Sequence, residues 1–398
     1  MAAERKNLPN VRAIQSTRVM SVPRLSQYLS GVACFACETP HDPRQLLTVC
    51  TRCGLPLRVD YDLSRVRLRL KDLLDRPPTL WRYREVLPLT AGDEISLAEG
   101  FTPLLPVERN VWVKDEARNP TGSFKARGMA VAISMARHLG ARALSAPSAG
   151  NAAGALAAYG ARAGLPVTVA MPDDTPAPFF NECKLYGATV HRVHGTIADA
   201  AKLLREQGLK DTFDVSTLRE PYRIEGKKTM AYELVEQMDG DVPDIVLYPT
   251  GGGTGLIGMW KAFREMGQLG WIAPGRQPRF VSVQAAGCAP VAKAFHEGAE
   301  RTEPWLNPST KAYGLRVPSP LGGFLCVRVL RETGGTAVTV TEDETERATR
   351  ALASTTGIDV CPEGGAAWAA LAKLRDSGFV GADDKVVVFN TGTGLKYR

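Results

Sequence analysis

No stretch of this chain approaches the roughly 20 consecutive apolar residues that a membrane-spanning helix needs, so a membrane protein is not expected. The opening MAAERKNLPNVRAIQSTRVM holds no apolar core of the length a secretory signal carries. The first 30 residues are basic and poor in acids, a pattern that also suits a transit peptide; the default expectation is the cytoplasm. Low-complexity tracts and internal repeats are absent, and so is the GK[ST] of a P-loop. Aromatic residues make up only 7% of the chain, and none is interleaved with the arginines around Val66, Leu68 and Leu70. Without rings to stack bases, that arginine stripe reads as the solvated face of a half-buried strand within residues 59–74, and no nucleic-acid partner is expected.

What is present is the composition of a large globular protein. The 398 residues are 44% hydrophobic and 23% charged, enough for two lobes and a small module. The net charge of +7 suits a small anionic substrate, although spread over this length it discriminates little.

Eight cysteines fall into two groups. Cys183, Cys288, Cys326 and Cys361 are scattered through apolar or loop context and read as buried thiols. Cys34, Cys37, Cys50 and Cys53 form CFAC and CTRC knuckles separated by twelve residues. Paired knuckles at this spacing place four thiolates around one tetrahedral zinc ion, as in zinc ribbons; unpaired or redox-active thiols are the alternative. Four cysteine ligands leave no open position, so such a metal would be structural rather than catalytic. His41, in the connecting loop, reads as a bystander, and Pro77-Pro78 mark the break into the main body.

From about residue 100, helical and strand patterns alternate. Met129, Ile133, Ala136 and Leu139 form one face of a helix that follows Lys125, and residues 178–186 form another. Strands are predicted at residues 165–171, 188–193, 244–248, 279–284, 337–340 and 385–390. Repeated βα alternation without hairpin signals predicts an α/β protein with mainly parallel sheets covered by helices. Ligands on such folds sit at the carboxyl ends of strands, near helix N-termini.

Three strand ends stand out, the first two followed by helices. In DIVLYPTGGGTGLIGMW, Gly251, Gly252 and Gly253 remove side chains that would screen backbone N–H groups, and Thr254 opens a helix whose terminus favours an anion. Gly253, Gly255 and Gly258 formally match GxGxxG, but the next strand ends at Gln284 with no acid for a ribose hydroxyl. A monophosphate fits better than a dinucleotide. Ser148-Ala149-Gly150-Asn151 precede an alanine-rich helix, either a second anion site or merely tight helix packing. Thr391 ends the apolar run VVVFN, where a hydroxyl can bond a heteroaromatic nitrogen or cap a turn.

Lys125 lies in NPTGSFKARG, after Phe124 and beside Ser123. A lysine at a helix start is usually a solvated charge. Apolar surroundings and a nearby cation such as Arg127 would lower its pKa and make it a nucleophile. Together with a monophosphate loop, an amide at Asn151 and a hydroxyl at Thr391, it supplies the parts that pyridoxal 5′-phosphate (PLP) needs.

The segments EGFTPL, KDEARNPTGSFKARGM, SAGNAAGALAAYGARAG, PYRIEGKKT, PTGGGTG and NTGTGLKY resemble the threonine synthases, a family of fold-type II PLP enzymes of the tryptophan synthase β-like group. The likeness runs from about residue 80 to the C-terminus, and a zinc-ribbon-like segment precedes it in some relatives. GSFKxRG is shared with serine/threonine dehydratases, whereas TGTGLK is more telling.

The resemblance implies a two-lobed fold: residues 1–78 an N-terminal extension with a zinc ribbon at about 30–60, residues 79–128 and 220–398 a large PLP-binding domain, and residues 129–219 a small domain. It implies a Schiff base on Lys125, an Asn151 contact to the PLP phenolic oxygen, and a cofactor phosphate on Gly251, Gly252, Gly253 and Thr254. Thr391 would face the pyridine nitrogen, Ser123 and the loop Ser148, Ala149, Gly150, Ala152 the substrate, and Arg223 and Lys227 its phosphate. Relatives often read NPYR and GQKT where this chain has EPYR and GKKT, so Glu220 would repel a phosphate unless it points away or pairs with Arg219 or Lys227.

The reaction implied is β,γ-replacement, O-phospho-L-homoserine and water giving L-threonine and phosphate, in a homodimer. The alternatives are a PLP-dependent dehydratase or β-replacement synthase, and a non-catalytic zinc-ribbon binding protein.

Overall fold

The computed structural model of the chain describes residues 25–206 and 212–398; the basic N-terminal stretch read as suiting a transit peptide lies, up to residue 24, outside the described residues. Among the described residues no helix is long and apolar enough to cross a membrane. The N-terminal module is a three-stranded antiparallel sheet of β1 (Leu29–Cys34), β2 (Pro40–His41) and β3 (Leu57–Tyr61), with β1 in the middle.

The arginine stripe after β3 is not a strand of any sheet. Val66 and Leu68 are buried and Arg67 and Arg69 exposed, as the alternation requires, but the segment runs unpaired between two short 3-10 turns. Its backbone is satisfied individually: the Leu68 carbonyl accepts from Trp271 Nε1 at 2.6 Å, and the Val66 carbonyl from Arg67 at 3.1 Å. Alternation reports one buried face and carries no information about a hydrogen-bonded neighbour.

The main body continues through β4 (Leu104–Glu108), β5 (Val111–Asp115), α1 (Lys125–His138), β6 (Leu144–Pro147), α2 (Asn151–Ala163), β7 (Val167–Pro172), α3 (Ala177–Leu185), β8 (Thr189–Val193), α4 (Ile197–Glu206), β9 (Phe213–Asp214) and α5 (Tyr222–Gln237). It then runs through β10 (Ile245–Pro249), α6 (Thr254–Leu269), β11 (Arg279–Ala285), α7 (Pro290–His296), α8 (Gly323–Glu332), β12 (Thr336–Val340), α9 (Glu342–Thr356), α10 (Pro362–Asp376) and β13 (Val386–Asn390).

Two sheets result. One has the order β12-β11-β10-β13-β5-β4, parallel except for β4; the other has the order β8-β7-β6-β9 and is parallel throughout. All five residues of β10 and all five of β13 are buried, as expected of central parallel strands with both faces covered. The expectation of no hairpin fails at β4–β5, which turn through Asn110 at φ +60°. Pro106 interrupts the apolar pattern of β4, and the position tolerates proline because β4 is an edge strand.

The contact that positions the site is the crossing of α1 and α5. A Cβ on Gly226 would stand 1.9 Å from the Arg127 carbonyl oxygen, and one on Gly128 would stand 3.1 Å from the Arg223 carbonyl. Two glycines thus let the helices approach backbone to backbone. Beside this crossing Arg127 is fully buried, its Nε 2.6 Å and its Nη2 2.7 Å from the Glu116 carboxylate. The same guanidinium meets both oxygens of Glu233, which also takes a bond from Lys114 Nζ at 2.9 Å. Two cations face two carboxylates, so the buried cluster is neutral overall. Burial alone would raise the Glu233 pKa; Arg127 and Lys114 overcome it and hold the group at about 2.

Removing one partner from such a cluster leaves an uncompensated buried charge. Glu233→Gln is expected to lower stability by about 3–5 kcal/mol, measured by urea unfolding. A loss under about 1 kcal/mol, the size of an exposed pair, would show that the cluster does not hold the helices together.

Candidate functional site

Five strand ends or helix starts converge on one cavity. Its wall includes Lys125, residues 148–152, Arg223, residues 251–254 and Thr391, which together are all but two of the residues singled out around Lys125 in the sequence. Ser123 and Lys227 are the two not on the wall. Ser123 is fully buried, and its Oγ accepts from the Lys125 backbone N–H at 3.4 Å, steadying the start of α1. Lys227 is also fully buried, with Nζ 3.5 Å from the centre of the Phe124 ring and no hydrogen-bond partner among the described residues. Burial first, then Lys125 and Arg223, push its pKa well below the usual lysine range.

Lys125 is the first residue of α1, and its Nζ lies 3.8 Å from the centre of the same ring. Desolvation, then the charge of Arg223, lower its pKa to about 7 against opposing contributions from Glu363 and Cys361. The cation is therefore Arg223 and not Arg127, because Arg127 is turned into the buried cluster with Glu116 and Glu233.

The glycine loop joins β10 to α6. A Cβ on Gly251 would meet the Gly314 carbonyl oxygen at 2.1 Å, one on Gly252 the Thr217 methyl at 2.5 Å, and one on Gly253 (φ +81°) the Cys326 sulfur at 2.2 Å. The glycines are required by what packs against the loop, in addition to any ligand in front of it. The second loop both lines the cavity and packs tightly behind it. Residues 148–152 face the cavity, while Gly154 behind them has no room for a Cβ, whose place is 2.0 Å from Glu182 Oε2. Ser148 Oγ accepts from the Ala153 N–H at 3.2 Å, closing the first turn of α2.

Thr391 follows β13, and its Oγ1 is 3.7 Å from Cys361 Sγ. The segment it opens zips onto the lysine loop: Phe124 N donates to the Thr391 carbonyl at 3.1 Å, and Thr393 N to the Gly122 carbonyl at 2.9 Å. Two motifs more than 260 residues apart are thus one local structure.

Glu220 does not oppose Arg223. Its carboxyl accepts from the backbone N–H groups of Tyr222 at 2.7 Å and Arg223 at 3.1 Å at the start of α5; burial pushes its pKa up to about 7, with Arg223 and these two bonds opposing the shift. The Arg223 guanidinium spends Nη1 on the Val215 carbonyl at 2.9 Å, and its buried Nε and Nη2 have no partner among the described residues. Two free donors on a buried cation at a cavity wall make a site for an anion.

Sequence reasoning missed Glu363 and Tyr397, both on the cavity wall. Glu363 Oε1 accepts from Gly314 N at 2.7 Å and Tyr397 Oη at 3.0 Å. The signal lay in CPEGG, where Cys361 caps α10, Pro362 opens it and an acid follows.

In the N-terminal module, the sulfur atoms of Cys34, Cys37, Cys50 and Cys53 all lie within 4.8 Å of one another, and His41 is not among them. The separations Cys34–Cys53 and Cys37–Cys53 are 3.5 Å and Cys37–Cys50 is 3.6 Å, too long for disulfides. A tetrahedron with metal–sulfur bonds of about 2.3 Å has edges of about 3.8 Å, so the donor set fits such an ion. The other four cysteines are buried, as expected of inert thiols.

Residues 95–392 match the family model described as pyridoxal-phosphate dependent enzyme. The chain is 35% identical over 372 residues to the threonine synthase of Methanosarcina acetivorans, covering 91% of each chain. It is 33% identical over 375 residues to that of Methanocaldococcus jannaschii, covering 91% of this chain and 92% of that one. Among solved structures, maize serine racemase superposes with a TM-score of 0.63 at 21% identity over 74% of this chain and 88% of that one. The processed threonine deaminase isoform 2 of Solanum lycopersicum superposes at 0.61 and 22%, over 73% and 83%. At these identities the two structures speak for the fold alone. With most of its length matched by the family model and by curated relatives, the chain belongs to the pyridoxal-phosphate dependent enzymes, alongside the threonine synthases.

Proposed function

We propose that this protein is a PLP-dependent threonine synthase that converts O-phospho-L-homoserine and water to L-threonine and phosphate. The observation that carries the reading is the Lys125 amine, held near neutrality in the wall of a cavity shared with the glycine loop and with Arg223, whose Nε and Nη2 have no partner among the described residues. The residues fit the cofactor: an amine to hold its aldehyde carbon, glycine-loop amides at the start of α6 for its phosphate, Asn151 for its phenolic oxygen and Thr391 for its ring nitrogen. When bound, PLP supplies an electron sink for a carbanion next to the substrate nitrogen.

The protein's own part is positioning and proton transfer. Lys125 takes and returns protons along the substrate carbons, a role for which an amine pKa near neutrality is suited. Ser148, Ala149, Gly150 and Ala152 receive the substrate carboxylate at the start of α2. Arg223 receives the phosphate, and Lys227, behind Phe124, supports that region without reaching the cavity. The two donors of Arg223 left without partners among the described residues suit a phosphate, which favours this reaction over a dehydratase, whose substrates carry none. A homodimer and a cytoplasmic compartment belong to the proposal on the strength of the resemblance.

A structural zinc ion on Cys34, Cys37, Cys50 and Cys53 completes it. The buried Cys34 and Cys50 and the backbone N–H of Ala36, 3.4 Å from Cys34 Sγ, support a closed thiolate site.

Phosphate release from O-phosphohomoserine by the purified protein is the direct assay, and 2-oxobutyrate from threonine would overturn it in favour of a dehydratase. Lys125→Ala is expected to lower turnover on the order of 10³-fold or more and to abolish the cofactor absorbance near about 410 nm. An undiminished band would remove Lys125 from its role. With an amine pKa of about 7, the rate of cofactor capture by the cofactor-free protein should rise through pH 7 and then level off. Below that pH the protonated amine is not a nucleophile; a rate still climbing toward pH 10 would mean an ordinary lysine. Metal analysis should find about one zinc per chain, lost in Cys50→Ser along with thermal stability; a metal-free wild type would end the zinc assignment.

A further inference from the structure

The last residues of the chain do more than close a turn. Residues 394–397 form a single 3-10 turn that brings Lys396 and Tyr397 against the start of α2. Lys396 Nζ donates to the Thr121 carbonyl at 2.7 Å, to Glu182 at 2.7 and 2.8 Å, and to Asn151 Oδ1 at 3.3 Å. An ammonium has donors only, so the oxygen of the Asn151 carboxamide must be the end that faces it. The other end, Nδ2, is 3.5 Å from Tyr397 Oη, which in turn donates to Glu363 Oε1 at 3.0 Å. Burial, then the Glu363 charge, raise the Tyr397 pKa well above its usual value, so the phenol keeps its proton and remains a donor to Glu363. Lys396, Asn151, Tyr397 and Glu363 therefore form one chain in which every hydrogen bond points the same way.

We propose that Lys396 and Tyr397 are positioning residues that grip the Asn151 carboxamide at both ends and fix its NH₂ group toward the bound cofactor. The inference rests on the PLP reading above. An asparagine side chain turns over a broad, nearly two-fold torsional profile. With its NH₂ forward it donates to an anionic phenolic oxygen, and flipped it presents a carbonyl oxygen and repels it. The sign of the interaction depends on the grip. The Glu182 carboxylate holds Lys396 in place, and its own place is left open by the missing Cβ of Gly154. The Thr121 bond ties the same ammonium to the loop that leads into Lys125, so one side chain sets the amide and the lysine loop together.

A double-mutant cycle on the full chain tests this, with the PLP dissociation constant read from equilibrium absorbance near about 410 nm. Lys396→Met should weaken PLP binding about 10-fold when Asn151 is present, the loss of one charge-assisted contact. In an Asn151→Ala background the same change should cost less than about 2-fold, because the group it positions is gone. Tyr397→Phe keeps the ring on Phe179 and should show a smaller weakening, about 3-fold, that likewise disappears without Asn151. It carries the test if Lys396→Met does not fold, as checked by thermal melting. Equal fold-changes in both backgrounds, or none in either, would overturn the inference and assign the tail a purely structural role. A wild-type chain that takes up no PLP would overturn the cofactor reading itself, and the inference with it.

Discussion

The site depends on how closely α1 and α5 cross. Gly128 and Gly226 reduce the separation to backbone contact, and the neutral cluster of Arg127, Glu116, Glu233 and Lys114 holds the two helices in that geometry. Lys125 begins one helix and Arg223 lies in the first turn of the other, so the crossing fixes the distance between an amine and the cation that helps deprotonate it. A longer separation would weaken the Coulomb contribution, which falls with distance and rises with burial. Stability of the fold and reactivity of the lysine therefore have a common structural origin.

Around that crossing the loops do two jobs at once. The glycine loop packs its back against Gly314, Thr217 and Cys326 while its front faces the cavity. The α2 start is closed by Ser148 and gripped by the C-terminal tail, and the tail also zips onto the lysine loop. Glu220 shows the same economy in reverse. An acid that looks hostile to an anion instead accepts the first backbone N–H groups of α5. Its helix then presents Arg223 with two donors free.

Some elements were legible in the chain and others were not, for identifiable reasons. Strands β10, β11 and β13 were placed within about two residues, the usual boundary uncertainty; β10 and β13, buried on both faces, read as near-continuous apolar runs, and β11 as the shorter FVSVQ pattern. The β4–β5 hairpin was missed because an edge strand carries a weak pattern and tolerates Pro106. Residues 66–70 showed true alternation but no pairing, since periodicity reports burial and not the neighbour. The lysine, glycine and threonine loops were legible because each is a local strand–loop–helix frame. Glu363 and Tyr397 were not, since CPEGG marks only a helix start and nothing in either segment marks the cavity wall they share.

By itself the sequence determined the chemical groups and their local frames: an amine at a helix start, a glycine turn before another helix, a hydroxyl after an apolar strand, four thiols in two knuckles. Those are properties of a few adjacent residues, where backbone geometry and residue type suffice. Only the tertiary structure decided that Arg223 rather than Arg127 tunes Lys125, that Glu220 is a cap, that Lys227 lies behind Phe124, and that the last residues hold Asn151. Apart from the local Glu220 contact, each of those is a distance through space between residues remote in the chain. Electrostatics and hydrogen bonds respond to that distance and to the solvent excluded along it.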